Sequence, residues 1–380
     1  MISRDPAIFE EGAEVRARMR EYGAMLEELH IIVCAPSPHS ANVFSEKKKD
    51  VSQIAEHTFA YATRSSSKFM RVWDGYGIAE RILKAKSIHG EGWIITAQDP
   101  FETGLLGWIL RMQFKRARLQ LQVHTDFLSP YFARESFKNL IRVWFARFFL
   151  PRADFVRVVS RRIEQSLRAC FGMRIPRIVV LPIFVDVHRK MPRVRELRTR
   201  YGEHDFIILM ASRLSREKNI SLALRAFAKV KSQLGENPLL LLVGEGSEKA
   251  NLQALVHAYH IEDDVMFEPW TRDLTSYYAA ADCFLLTSNY EGYGRTVVEA
   301  MSAGLPVVMT DVGLAGEVLH DEMEGIVIPV ADESALEVAL ITLAHDPQKR
   351  KQLGVAARNA VRSFPTKEQY LERYTALFQP

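Results

Sequence analysis

Three short stretches of this 380-residue chain hold residues whose types and spacing could do chemistry. The first, MASRLSREKNI (210–220), sets Arg213 and Lys218 at an R-x4-K spacing just after an apolar run. Two cations beside a helix start suit a diphosphate, through charge, forked guanidinium hydrogen bonds and the helix dipole. The second, LLVGEGSEK (241–249), places Gly244 and Gly246 in a Gly-x-Gly turn, where backbone can approach a ligand closely and Ser247 can cap the next helix. The third, NYEGYGRTVVEAMSAGLPVV (289–308), brackets a glycine turn with Glu291 and Glu299, an E-x7-E spacing.

In that third stretch Gly292, Tyr293, Gly294, Arg295 and Thr296 would carry the chain into a helix whose free N–H groups suit a phosphate. Glu299, in the first turns of that helix, would reach a group beside the phosphate, and Glu291 would point to the other side. A ligand with sugar hydroxyls on both sides of a diphosphate fits, which describes a nucleotide sugar. Each motif alone has a plainer reading: a solvated basic turn, a glycine turn made for packing, a helix-cap carboxylate and an exposed helix glutamate.

The elements that must position these residues follow from apolar periodicity. From residue 206 onward, short runs rich in Leu, Val and Ile (206–211, 239–243, 265–269, 283–287, 306–310, 325–330) alternate with helical patterns. Such runs predict a parallel sheet covered on both faces, a doubly wound α/β domain. The first half shows the same alternation less cleanly, at 30–36, 93–98, 119–124, 155–160 and 177–182, with an amphipathic stretch at 10–29 and a helix at 103–115. Two Rossmann-like domains are expected, 1–185 and 186–365, joined near PIFVDVHRKMPRV (182–194), followed by an amphipathic helix in 366–380. Open sheets of this kind bind ligand at the carboxyl ends of their strands, and with two of them the expected site is the cleft between.

Composition sets the outer bounds. With 48% hydrophobic residues the chain can bury a large core. Three scattered cysteines, Cys34, Cys170 and Cys283, argue against a disulfide framework or a Cys-rich metal site and fit a reducing, cytoplasmic setting. No apolar run reaches the roughly 18 residues that span a bilayer. The net charge of +4 hides an asymmetry: residues 1–185 hold 28 Lys and Arg against 19 Asp and Glu, and within 111–177 the count is 15 against 4. That block suits an anionic membrane or a polyanion. It contains no recognisable nucleic-acid module, and the acidic second half would repel a phosphate backbone, so no nucleic-acid partner is expected.

Taken in order, Arg213 with Lys218, the GEG turn and EGYGRTVVE resemble the donor domain of glycosyltransferase family 4, the retaining, GT-B-fold glycosyl transferases of group 1. The resemblance is specific over about 200–330 and weaker elsewhere. It implies a hexosyltransferase that takes a nucleotide sugar, UDP- or GDP-linked, and acts on a glycan or lipid-linked acceptor in envelope polysaccharide or glycolipid synthesis. It also implies roles: Arg213 and Lys218 neutralise the diphosphate, the backbone of 292–295 binds phosphate, Glu299 holds ribose, Glu291 holds the donor sugar, and Trp270 lies near the nucleobase. His124, closing the run LQLQVH, matches a family histidine near the donor sugar and acceptor hydroxyl, with Asp99 and Asp126 in the neighbouring loops.

One departure stands out. The family opens with a full strand and a glycine-rich loop, whereas this chain opens MISRDPAIFEEG, with only Ile2 and Ser3 left for a strand and Arg4 or the Glu11-Gly12 turn to replace the loop. No Asp-x-Asp metal pair sits at a strand end, so neither metal nor cofactor is expected, the two cations acting in a metal's place. Competing readings are a nucleotide-sugar epimerase, a phosphorylase and a non-catalytic nucleotide-sugar sensor. The segment YFARESFKNLIRVWFARFFLPR (131–152) mixes aromatics with arginines in a helical pattern, and reads either as a core helix with a charged outer face or as peripheral contact with the inner membrane leaflet.

Overall fold

The computed structural model describes residues 1–35, 51–65, 67, 70–86, 92–188, 195–235 and 237–378. Pro36, at the end of the predicted 30–36 strand, and the later part of the predicted join, 189–194, lie outside the described residues. The chain forms two units: Met1–His124 with Ser136–Leu181 and Glu368–Pro380, and Thr125–Glu135 with Pro182–Lys367.

The first unit is built on eight strands: β1 (Ile2–Ser3), β2 (Leu29–Val33), β3 (Val51–Ala55), β4 (Thr58–Ala62), β5 (Ile94–Ala97), β6 (Arg118–Val123), β7 (Phe155–Val158) and β8 (Arg177–Val180). Their order is β3-β4-β2-β1-β5-β6-β7-β8. All neighbours are parallel except β3 and β4, an antiparallel pair at the edge. That pair was not foreseen, because Val51–Ala55 is mostly polar or exposed and gives no apolar run. The two-residue β1 lies in the middle of the sheet, Ile2 pairing with Ile32 on one side and Ala97 on the other. The predicted 103–115 helix runs Glu102–Gln113, its start held by Asp99 Oδ1, which accepts from the Phe101 and Thr103 amides at 2.9 and 3.2 Å. The 10–29 stretch holds one regular helix, Glu14–Gly23. The last helix, Lys367–Thr375, contributes to this unit, with the Tyr374 ring stacked 3.9 Å from that of Tyr22.

The second unit has six strands, β9 (Phe206–Ala211), β10 (Pro238–Val243), β11 (Val265–Glu268), β12 (Cys283–Leu286), β13 (Val307–Thr310) and β14 (Gly325–Ile328). All are parallel, in the order β11-β10-β9-β12-β13-β14. Every residue of β9, β10, β12 and β13 is buried, as expected of strands covered on both faces. Burial of each Leu, Ile or Val there contributes about 1.5–3 kcal/mol before the entropy of ordering is counted. The helix Ile220–Leu234 supplies much of that cover through Leu222, Ala223, Leu224, Ala226, Phe227 and Val230.

The strand order reverses direction between β9 and β12. Loops leaving the carboxyl ends of those two strands therefore diverge to either side and leave a crevice, the usual ligand position in an open α/β sheet. The loop after β9 carries Arg213 and Lys218; the loop after β12 carries Glu291.

Candidate functional site

The β9 and β12 loops are tied together by their backbones. Thr287 donates its hydroxyl to the carbonyls of Lys218 and Asn219, each at 3.0 Å, and the Asn289 amide donates to the Glu217 carbonyl at 2.8 Å. Asn219 takes a left-handed conformation (φ 46°) and donates its side-chain amide to Asn289 Oδ1 at 3.0 Å. An asparagine tolerates that conformation better than most side chains. The sharp bend it makes ends the short 3₁₀ turn Arg216–Lys218 and begins the helix Ile220–Leu234.

Within this frame Lys218 Nζ forms an ion pair with Glu291 Oε1, which also accepts from the Ser288 hydroxyl at 2.8 Å. Lys218 and Glu291 are mostly shielded, with side-chain exposures of 14% and 13%. Arg213 behaves differently: its side chain is 76% exposed and rests on Glu217 at 3.0 Å. The spacing predicted two cations meeting one ligand, and the structure brings only Lys218 to the carboxylate while Arg213 extends into solvent.

The β12 loop runs into the helix Arg295–Ala303, whose amino end no side chain caps. Gly294 turns the chain there at φ 103°, a conformation that a side chain would strain. Glu299 lies one turn in: Oε1 accepts from Arg295 Nε at 2.8 Å and Oε2 from the Tyr278 hydroxyl at 3.0 Å. Burial holds the Tyr278 phenol well above its ordinary range, with the Glu299 charge adding to it, so it remains a donor. Tyr293 is buried, its carbonyl accepting from the Leu314 amide at 3.0 Å, which fixes the glycine turn from below.

Packing requires glycine at both Gly244 and Gly246. A Cβ on Gly244 would lie 1.9 Å from the Ser212 carbonyl oxygen, and one on Gly246 would lie 2.2 Å from that of Leu214. The two loops lock through Leu214 N to Glu245 O and Glu248 N to Leu214 O, both 2.9 Å. The turn thus sets the course of the loop that carries Arg213. Trp270, beyond β11, is 61% exposed. The strand end before it is firm, because the buried Glu268 carboxylate pairs with Arg200 at 2.9 Å and accepts from the Tyr201 hydroxyl at 2.8 Å.

Segment Thr125–Glu135 also belongs to this unit. Tyr290, beside Glu291, donates its hydroxyl to Glu135 Oε2 at 2.5 Å and meets the Phe132 ring edge-on at 5.4 Å. Nothing in the local composition of 125–135 marks this attachment.

In the first unit, His124 ends β6 in a buried polar network. Its Nε2 lies 2.9 Å from Gln122 Oε1, an acceptor only, so Nε2 carries the proton and Nδ1 keeps its lone pair. Gln122 Oε1 accepts also from Arg157 at 3.1 Å, and Arg157 reaches the Leu181 carbonyl and the Tyr370 hydroxyl. Gln122 donates to Thr96 at 2.9 Å, which in turn donates to Gln120 at 2.7 Å. The imidazole keeps an exposed edge, yet desolvation, reinforced by the charges of Arg157 and Arg18, pushes it down to about 3. It is neutral at any physiological pH.

Of the other first-unit candidates, Asp99 serves as a helix cap, and burial, with Glu102 nearby, raises its carboxyl. Arg4 lies 3.3 Å from Glu102, which also pairs with Arg142 at 2.8 Å. A cavity of about 720 Å³ is lined by Met1, Leu29, His30, Trp93, Ile94 and their neighbours. It opens at the amino ends of β1, β2 and β5, the opposite end of the sheet from His124. Among the described residues no three His, Cys, Asp or Glu side chains converge as a metal site.

Two polar groups were not foreseen. Ser288 could have been found from its place at the β12 end, three residues before Glu291. Tyr278 carries no local signal, since it reaches Glu299 from the separate helix Thr275–Ala280.

Comparison with known proteins bears on both units. Residues 196–360 match the family model described as glycosyl transferases group 1, and residues 61–183 match that of the glycosyl transferase 4-like domain. The N-acetyl-alpha-D-glucosaminyl L-malate synthase of Bacillus anthracis is 27% identical over 267 residues, 70% of this chain and 68% of its own. A Campylobacter jejuni N-acetylgalactosaminyltransferase, which by its name acts on a diphospho-undecaprenol-linked sugar, is 25% identical over 62% of this chain and 63% of its own. The chain thus spans about two thirds of the length of these curated relatives. Among solved structures, Anabaena HepE in complex with UDP-glucose superposes with a TM-score of 0.74, covering 99% of this chain and 98% of that one at 20% identity.

Proposed function

Because this chain belongs to the group 1 glycosyl transferases, hexosyltransferases of GT-B fold, we propose that it moves a hexosyl unit from a nucleotide sugar to a glycan or lipid-linked acceptor. The observation that carries this reading is the Lys218–Glu291–Ser288 cluster at the switch point, on the loop that leads into the uncapped helix Arg295–Ala303. An ammonium group and a helix amino end so close together suit a diphosphate, and the carboxylates on either side suit hydroxyls.

In the reaction the bond from the anomeric carbon to the diphosphate oxygen breaks while the bond to the acceptor oxygen forms. Negative charge grows on the leaving phosphate. Lys218 and the N–H groups at the start of Arg295–Ala303 stabilise that charge, and the solvent-exposed Arg213 closes over the outer phosphate. Glu299, held by Arg295 and Tyr278, accepts from the ribose hydroxyls. Glu291 exchanges part of its contact with Lys218 for a hydroxyl of the donor sugar. Neutral His124 offers Nδ1 as an acceptor for a sugar hydroxyl. Trp270 covers the base.

The transfer retains anomeric configuration, the leaving phosphate taking the acceptor's proton, and needs no metal, since Lys218 and Arg213 supply positive charge at the diphosphate. Donors are UDP- or GDP-sugars, and the basic 111–177 region holds the enzyme peripherally at an anionic membrane. A thermal-shift panel of UDP-, GDP- and ADP-sugars in excess chelator tests this reading. A nucleotide-specific, concentration-dependent rise in Tm is expected, because a ligand bound only by the folded state stabilises it. No rise with any donor overturns the reading, and a rise that appears only on adding Mg²⁺ or Mn²⁺ overturns metal independence.

A further inference from the structure

The helix Phe137–Phe149 in the first unit is apolar on its outer side as well as on its inner one. Its buried residues are Asn139, Ala146 and Phe149. Its solvent face is apolar: Phe137, Leu140, Ile141 and Trp144 are 76%, 52%, 41% and 64% exposed. At 100° per residue these four fall within one arc of about 100°, and Phe148 falls inside it. The Trp144 and Phe148 rings lie nearly parallel with centroids 6.2 Å apart, so two aromatic rings stand side by side within the arc.

Cations border that arc. Lys138 and Arg147, both exposed, stand on its two edges, and the Arg152 guanidinium lies 3.8 Å from the Phe148 ring centroid. From Phe137 to Arg152 there are four basic residues and no acidic one. Arg142 is engaged inward on Glu102 at 2.8 Å and is largely shielded, whereas Lys138 lies 3.9 Å from the same carboxylate and keeps half of its side chain in solvent. No helix among the described residues is long and apolar enough to cross a membrane.

We propose that this face is the surface by which the protein lies on an anionic lipid bilayer, Phe137, Leu140, Ile141, Trp144 and Phe148 entering the headgroup boundary while Lys138, Arg147 and Arg152 meet lipid phosphates. An exposed apolar arc rimmed by positive charge is the pattern of an interfacial helix. A second copy of the chain is a poorer occupant, because a two-fold contact would set a rim of net positive charge against itself, the neighbouring Glu102 carboxylate being held by Arg142. The proposal rests on the glycosyltransferase reading only for its consequence: the acceptor would be lipid-linked and met at the bilayer surface.

The test is co-sedimentation of the full chain with phosphatidylglycerol–phosphatidylcholine vesicles and with phosphatidylcholine alone. Wild type should partition at least tenfold more onto the anionic vesicles. Phe137→Glu/Trp144→Glu should lose at least tenfold of that binding, and Lys138→Ala/Arg147→Ala should lose part of it and most of its salt dependence. Both variants should keep the wild-type circular dichroism and a nucleotide-induced Tm rise within twofold of wild type. Equal binding of wild type and the double glutamate variant overturns the proposal, as does absence of vesicle binding. A wild-type dimer that Phe137→Glu/Trp144→Glu dissociates, with no vesicle binding, assigns the face to a second copy instead. Vesicle binding without any nucleotide-induced Tm rise leaves this surface standing and removes the transferase reading.

Discussion

The two units place their polar groups in different ways. In the second, the β9 and β12 loops bring Lys218, Ser288 and Glu291 together at a strand-order reversal, on a sheet whose central strands are wholly buried. In the first, the polar residues sit inside the sheet: Thr96, Gln120, Gln122 and Arg157 hydrogen-bond across β5, β6 and β7 and hold His124 from beneath. The loop site can exchange partners when a ligand arrives. The sheet network has every reason to stay fixed, because each buried polar group depends on its neighbours.

That contrast predicts where substitutions act. Lys218→Ala should have the largest effect, lowering kcat/KM at least 100-fold, about 3 kcal/mol, by removing the shielded cation from the diphosphate and freeing Glu291 to repel it. Steady-state kinetics with the donor found in the thermal-shift panel check this. Arg157→Met, in the fixed network, should instead lower stability by about 2–4 kcal/mol, since Gln122, the Leu181 carbonyl and Tyr370 lose a shared charged donor. Denaturant unfolding measures it, and a variant with unchanged stability but lost activity would reverse the contrast.

The two carboxylates sharpen the comparison within the loop site. Glu299→Ala should weaken donor binding about tenfold, near 1.4 kcal/mol, whereas Glu291→Ala should mainly lower turnover with donor affinity held within about threefold. Titration calorimetry beside kcat distinguishes them, and wild-type values for both variants would return the pair to coincidence.

The effect that is smallest at neutral pH, and grows as pH falls, is a pH dependence in the first unit. His124 has a folded value near 3 against about 6.5 when unfolded, so below pH 6.5 the unfolded chain binds a proton that the folded chain does not. Stability from this group is therefore complete above pH 6.5 and is lost as pH falls from there toward 3. His124→Gln should flatten that part of the Tm–pH curve. An unchanged acid limb would mean that the ring is not enclosed as described.

The sequence made the second unit legible because each of its strands is a continuous apolar run and each site residue follows one within a few positions. Gly244 and Gly246 were visible, but their work was not: the carbonyls of Ser212 and Leu214 that exclude a Cβ are over 30 residues away in the chain. The first unit hid more. Gln120 and Gln122 alternate with leucines in LQLQV, and only the structure shows both buried in one network with Thr96 and Arg157. β3, VSQIA, gives no apolar run, and the attachment of 125–135 through Tyr290 and Glu135 joins residues 155 apart. For Phe137–Phe149 the periodicity was clear and its sense was not. Apolar residues recur on both sides of this helix, and only the packing shows that Phe137, Leu140, Ile141 and Trp144 are turned to water while Ala146 and Phe149 are buried.

The central claim is that Lys218, paired with Glu291 ahead of the Arg295–Ala303 helix, forms a diphosphate cradle. It is tested most directly by titrating UDP and GDP into wild type and Lys218→Ala while following Tm. In wild type, Tm should rise with the concentration of one of the two nucleotides, and in Lys218→Ala that rise should be lost at the same concentrations. An equal rise in both proteins would contradict it.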